Sequence, residues 1–255
     1  MSDLAKIQRV YTITDVINKA QSTEEFYLNL DKISRRNLRK VEYFTRYRSG
    51  EPIWHSFRKH CISGTLTKAV IRDMDAGEMT ERVRKRIRKL YVLDLSYLEN
   101  VRFGIENEDV ARRVLLRHWR KSHPRAQIQQ YGIQFAASEP FLAYSVDGIL
   151  QNESGERYVV EIKCAPSLGR FKIRNRGDKL RYLDNSGRLR RTHTHMFQVQ
   201  YYLWVTGIDK CIFFIYARRD FTLEIIEKDL NFVEKFECMK SFYLKDYIET
   251  RFCTY

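Results

Sequence analysis

The stretch YVVEIKC, residues 158–164, places a carboxylate, Glu161, and an ammonium, Lys163, two residues apart in an otherwise apolar run. In a strand, residues i and i+2 project from the same face, so these side chains either act together or neutralise each other. A preceding strand-like piece ends in SVDG, where Asp147 stands before a glycine that permits a bend or bulge beside a sheet. Asp147 on one strand and Glu161-x-Lys163 on the next would bring two carboxylates and one ammonium to a shared point. Two carboxylates at close range repel, and a divalent ion is the usual solution; an all-oxygen donor set favours magnesium or manganese over zinc. A lysine in such a cluster can hold or polarise a water for attack on phosphorus, while the metal stabilises the charge that builds on the phosphate. Phosphodiester hydrolysis is the chemistry this set suggests. The plainer alternative is an ion pair on a half-exposed sheet, and an isolated ExK favours that reading.

The elements that must carry these residues can be read from the surrounding pattern. NEDVARRVLLRHWR, residues 107–120, puts Val110, Ala111, Val114, Leu115 and Trp119 on one side, an amphipathic helix that ends before Pro124. YGIQFAAS, LAYSVDGIL and RYVVEIKC read as strands, the last two joined across the turn-forming QNESGE. A helix over HMFQVQYYLWVTG, strands over CIFFIYAR and FTLEIIEK, and a terminal helix from about Leu230 complete a mixed α/β order. TERVRKRIRKLY, residues 80–91, is a helix with a capping threonine, apolar Val83, Ile87 and Leu90, and a cationic face. Between Gly169 and Arg191 the chain turns polar and basic and reads as a mobile segment.

Composition narrows the partners. The 255 residues suffice for a sizeable core, and 44% apolar with 13% aromatic content argues for a folded chain. With 46 Lys+Arg against 32 Asp+Glu, a formal charge of +14 favours a polyanion such as nucleic acid or an anionic membrane. Five scattered cysteines without a CxxC pair suggest neither a disulfide framework nor a zinc or iron–sulfur site. No signal-peptide pattern or 18-residue apolar run is present, so the expectation is a soluble intracellular protein without membrane attachment. No linker or repeat divides the sequence, which reads as one compact domain overall: a helical N-terminal region over 1–50, without assignment, and a catalytic region over 51–255.

The ordered set of motifs resembles the lambda-exonuclease (YqaJ-type viral alkaline exonuclease) branch of the PD-(D/E)xK nuclease superfamily. WHSFRKHCIS (Trp54 to Ser63) is similar to that branch's WHxxR opening, GIENEDVAR (Gly104 to Arg112) to its GxxxExxAR helix, YSVDG and EIKC to its core, and QVQYYLWVTG (Gln198 to Gly207) to its QVQ helix. Val146 stands where the usual core has proline, and the basic insertion after Gly169 is longer than the family pattern.

The resemblance implies a restriction-endonuclease-like core, a mixed sheet flanked by helices. It implies a metal-dependent 5′-3′ exonuclease on linear double-stranded DNA, serving viral or phage recombination or genome processing. The same core also serves endonucleases and RNA-degrading host-shutoff enzymes; a nonenzymatic nucleic-acid-binding protein would keep the charge and lose the carboxylates. Asp147 and Glu161 would ligate a catalytic magnesium (or manganese) with the backbone carbonyl of Ile162, and Asp147 with Glu108 a second ion. Lys163 would position the water, Gln198 would support the site, and Arg58, with Trp54, Ser63 and Arg112, would bind the substrate strand, Arg58 at its 5′ phosphate. Double-stranded DNA ends, a single-strand annealing protein and further copies of the chain are the implied partners; the compartment would be host nucleus or cytoplasm for a virus, cytoplasm for a bacterium or phage. Glu106 competes with Glu108, and Gln200 with Gln198. Glu108 with Arg112 could also be a surface helix pair, His193 and His195 are packing or substrate-contact residues before they are ligands, and Cys164 is a small buried side chain.

Overall fold

A computed structural model describes residues 10–47, 51–88, 98–136, 138–166 and 180–253. These divide into two compact units that interleave in sequence. One draws on Met1–Val92, Tyr131–Ser145 and Leu230–Tyr255, the other on Leu93–Gln130 and Val146–Asp229.

The first unit opens with α1 (Ile13–Lys19), α2 (Thr23–Leu30) and α3 (Arg35–Thr45). Each starts where a hydroxyl residue leaves the extended region: Thr12 forms a capping box with Asp15, Ser22 accepts from the Glu25 amide, and Ser34 from the Asn37 amide. A short α4 (Pro52–Ser56), the two-residue β1 (Ile62–Ser63), α5 (Thr67–Asp75) and α6 (Glu81–Arg88) follow. Thr80 caps α6 as its sequence predicts, and is itself held by buried Asp73, whose Oδ2 accepts from the Thr80 amide at 2.8 Å and hydroxyl at 2.6 Å. The last residues of TERVRKRIRKLY, 89–91, lie outside the described residues. β1 runs parallel to β4 (Glu139–Tyr144), which pairs antiparallel with β3 (Gln134–Ala136). Late in the chain, α9 (Leu230–Phe242) packs on α5 and runs on through a π turn over Tyr243–Ile248.

The second unit contains α7 (Glu99–Trp119), then a five-stranded sheet of β2 (Gln127–Gln129), β5 (Gly148–Gln151), β6 (Arg157–Cys164), β7 (Lys210–Ala217) and β8 (Asp220–Glu227), in that spatial order. Only β6 and β7 are parallel, and the connection between them carries α8 (Thr194–Thr206). Period-2 alternation sets the faces of β6. Val160 and Ile162 join Ala111 and Leu115 of α7 in a core with Leu150, Ile212 and Phe214, which leaves Glu161 and Lys163 on the opposite face. Gln200 fastens α8 to the end of β8 by donating to the Glu227 carbonyl at 2.8 Å and accepting from the Asp229 amide at 2.9 Å.

Three expectations change. LAYSVDGIL is two strands in different sheets, β4 and β5, parted at 145–147, where Ser145 and Asp147 interrupt the apolar residues. At Gly148 a Cβ would meet Ile128 Cγ2 at 2.7 Å, so the glycine lets β2 come close, and β2 itself carries too little apolar pattern to be read. The helix expected from Asn107 begins instead at Glu99; Gly104 and exposed Ile105 interrupt the apolar stripe that would have announced it. Of the basic 169–191 stretch, residues 167–179 lie outside the described residues, and 180–191 form a pinned turn rather than a mobile segment. Leu183 bridges Leu189, whose amide donates to Glu224 at 2.8 Å, and both leucines are buried.

Candidate active site

The site grows from the place where β5 parts from β6. Their last pair is Gly148 with Val160; one residue earlier, the Asp147 amide still donates to the Val160 carbonyl at 3.1 Å. The next rung is made by a side chain: Asp147 Oδ2 accepts from the Ile162 amide at 2.6 Å. Beyond that point no strand among the described residues lies along this edge of β6. The N–H and C=O of one strand residue leave on the same edge, so the Ile162 carbonyl also faces the Asp147 side.

On β6, Lys163 Nζ donates to Glu161 Oε1, and Glu161 is only 1% exposed. Its other oxygen, Oε2, is buried with no hydrogen-bond partner. Burial first, then repulsion from Asp147 and Glu108, raises the Glu161 carboxyl to about 8 despite Lys163. Burial likewise lifts half-buried Asp147 above the usual carboxylate range, against the pull of Lys163 and the Ile162 amide. Glu108 rises to about 7, through burial and then Asp147, against Arg112. Burial opposes the Lys163 charge, but Glu161 and Asp147 together hold its pKa above the ordinary value.

Arg112 organises the helix side. It is buried, donates from Nε to the Asp147 carbonyl at 2.8 Å, reaches Glu108 at 2.5 Å and also pairs with Asp109. Gln130, with its amide oxygen turned inward, accepts from the same guanidinium at 3.1 Å. A guanidinium so committed holds protein groups. Glu106, by contrast, is exposed and only 4.0 Å from Arg102, so Glu108 is the acid on this helix that the site feels.

The donor set fits a hard divalent cation. A buried carboxylate oxygen is orphaned, a carbonyl faces the same edge, and burial above all holds the acids above their normal pKa. Among the described residues no three acidic, histidine or cysteine side chains are gathered into a cage. Magnesium ordinarily takes one or two carboxylates and completes its shell with water and phosphate oxygens, so two acids and a carbonyl suffice.

Gln198 is buried on α8, donates to the Tyr202 hydroxyl at 3.0 Å and hydrogen-bonds His195. Gln200 is spent on β8, which separates the two glutamines. His193 and His195 pack with Tyr182, the His195 and Tyr182 rings 5.3 Å apart, and burial followed by Lys163 drives the His195 pKa down to about 3. Cys164 is half-buried, packed against the core, and burial pushes its thiol to about 12. In the other unit, Arg58 is 8% exposed with its guanidinium 4.1 Å over the Trp54 ring, and Ser63 is fully buried in β1, 3.4 Å from the Thr65 hydroxyl. Sequence reasoning missed the central place of Arg112. Its i,i+4 spacing to Glu108 announced a pair, but only the fold brings the Asp147 carbonyl to the same guanidinium.

A mixed sheet whose two strands diverge beside an Asp and a Glu-x-Lys is the arrangement of PD-(D/E)xK nucleases. The chain belongs to the family of YqaJ-like viral recombinase domains, whose model matches residues 53–209. It is thus a nuclease of the lambda-exonuclease and YqaJ type, a family that uses a divalent metal. Among solved structures, an alkaline exonuclease from Laribacter hongkongensis (LHK-Exo) is similar at 16% identity and a TM-score of 0.52, over 78% of this chain and 93% of that one. KSHV SOX in its RNA complex is similar at 10% identity and a TM-score of 0.58, covering 90% and 78%. A SOX–DNA complex is similar at 10% identity and 0.54, covering 95% and 79%. At these identities the likeness is one of fold. No curated protein matches the sequence significantly. No helix among the described residues is long and apolar enough to cross a membrane.

Proposed function

We propose that the chain is a magnesium-dependent exonuclease that degrades linear double-stranded DNA from the 5′ end. The observation that carries the hydrolytic part is the buried, partnerless Glu161 Oε2 beside Lys163 and Asp147, at an open sheet edge. Asp147, Glu161 and the Ile162 carbonyl are the groups that hold one cation, and Asp147 with Glu108 a second. A bound divalent ion supplies positive charge to the phosphate oxygens and acidifies water.

The chain's own residues do the rest. Lys163, kept charged by Glu161 and Asp147, holds the attacking water by hydrogen bonding to its oxygen and steadies the negative charge that develops on the phosphate. Arg112 fixes the backbone of Asp147 and the carboxylate of Glu108 in one register. Gln198 braces the α8 side through Tyr202 and His195. Arg58, stacked on Trp54, receives the 5′ phosphate of the strand being degraded, and Ser63 lies in the same opening motif.

The polarity and the preference for DNA rest on the resemblance, and the basic charge of +14 supports a polyanionic substrate. A KSHV SOX structure contains RNA, so RNA belongs in the test. End-labelled linear duplex, nicked circle and RNA are each incubated with and without magnesium. Magnesium-dependent release of 5′ mononucleotides from the linear duplex alone supports the proposal; cutting of the circle, or of RNA faster than duplex, overturns the assignment of an exonuclease on DNA.

A further inference from the structure

A groove of about 300 Å³ lies between α3 and the segment that carries β3 and the end of β4, wholly within the first unit. Its walls include Tyr131, Phe135 and Tyr144, its rim carries Arg35 and Arg39, and Gln134 is part of its lining. The arginines are one helical turn apart, about 6 Å along the axis, so they lie on the same side of α3. Both are exposed, and neither forms an ion pair among the described residues. The one acid in the lining, Glu42, is already spent: Arg46 pairs with it at 2.6 Å and the Gly132 amide donates to it at 2.9 Å. The groove therefore presents two uncompensated positive charges.

It is also preformed. The Ile133 amide donates to Thr45 Oγ1 at 2.7 Å, and a Cβ on Gly132 would meet the Glu42 carbonyl at 2.1 Å, so backbone lies against backbone at the groove's end. Gln134 Oε1 is buried with no hydrogen-bond partner. An orphaned amide oxygen is costly, and a donor on a bound molecule would satisfy it. Exposed Tyr43 continues the arginine face one turn further.

Guanidinium groups one turn apart suit neighbouring phosphates, aromatic walls suit the face of a base, and a side-chain amide suits its polar edge. The volume is that of a small-ligand site rather than a duplex groove. We infer that this groove binds single-stranded nucleic acid, with one unstacked base between the aromatic walls and its flanking phosphates on Arg35 and Arg39. Both arginines lie upstream of the span 53–209 that matches the family, while the aromatic and amide lining lies within it. The inference goes beyond the proposed cleavage and is tested without it.

Binding of a fluorescein-labelled 12-mer of thymidylate, and of its uridylate counterpart, is followed by polarisation in EDTA, where no cleavage interferes. The double variant Arg35→Ala/Arg39→Ala is compared with Arg36→Ala/Lys40→Ala, which removes equal charge from outside the groove. The groove variant should weaken binding at least fivefold and flatten the salt dependence by a log–log slope of about 1.4, the value for two phosphates on a single strand; the control should change affinity less than twofold. An abasic 12-mer should bind the parent at least fivefold more weakly than thymidylate, through lost stacking. Equal effects of the two variants, or an abasic strand bound as tightly as thymidylate, overturn the inference. The tighter of the DNA and RNA strands names the natural ligand. Arg35, Arg36 and Arg39 are exposed and Lys40 is half-buried, so a melting temperature within a few degrees of the parent is expected for both variants.

Discussion

The Arg112 guanidinium on α7 donates to the Asp147 carbonyl at 2.8 Å while gripping Glu108, so one side chain sets the spacing of two carboxylates from different elements. Arg112→Lys keeps the charge but cannot serve these acceptors together. We expect cleavage to fall about a hundredfold, the scale of an ångström-sized misplacement, with duplex affinity within twofold of the parent. A parallel loss of affinity, measured by polarisation, would show that Arg112 contacts substrate instead. Arg112→Ala leaves the Asp147 carbonyl without its donor and should cost about 1–3 kcal/mol in urea unfolding.

Asp147→Asn and Lys163→Met should each lower magnesium-dependent cleavage by about a thousandfold or more. Salt-sensitive DNA binding should persist, because it depends on the basic surface rather than on these groups. Cleavage at the parental rate by either variant would refute the site.

The raised Glu161 carboxyl, at about 8, gives a signed pH dependence in the cation-free protein. Between the ordinary carboxylate range and pH 8, the folded chain holds a proton that the unfolded chain has released. Stability therefore falls as pH rises through that window. Glu161→Gln should flatten this dependence in melting scans. Divalent cations require the deprotonated form, so calorimetric titration of magnesium should show proton release near pH 7 and tighter binding toward pH 8; uptake of protons would contradict the assignment.

A second pH effect belongs to the other unit. His60 is buried at a left-handed φ of 61°, its Nδ1 is 2.8 Å from the Tyr247 hydroxyl, and its carbonyl accepts from Tyr243. Burial, with Arg251, Lys59 and Arg88 adding repulsion, lowers its pKa from 6.5 to about 4. The unfolded chain takes up this proton first as pH falls, so about 3 kcal/mol of stability should be lost between pH 7 and pH 4. His60→Asn, which tolerates the left-handed backbone, should remove that part of the acid sensitivity in urea titrations at the two pH values.

Much of the second unit was legible because its chemistry is local. Glu161 and Lys163 share a face by strand periodicity alone, and the turn in QNESGE joins the strands that carry Asp147 and Glu161. The sheet order was less legible, since β4 and β5, parted only at 145–147, enter different sheets. Long-range grips were not legible at all. Neither Arg112 reaching the Asp147 carbonyl nor Gln200 tying α8 to β8 leaves a trace in spacing, because both partners are backbone groups. The α3 groove escaped for the same reason: its arginines and aromatics are about a hundred residues apart in sequence.

The interleaving of the two units has a consequence for how the chain is made. Asp246 clasps Arg84 at 2.5 Å and caps the Met79 amide at 3.2 Å, and α9 packs on α5. α5 and α6 thus wait for α9 and its π turn before their shared interior closes. Meanwhile the catalytic sheet, whose strands all precede Leu230, is synthesised in full. During translation the sheet that carries Asp147 and Glu161 is free to mature before α5 and α6 close on α9.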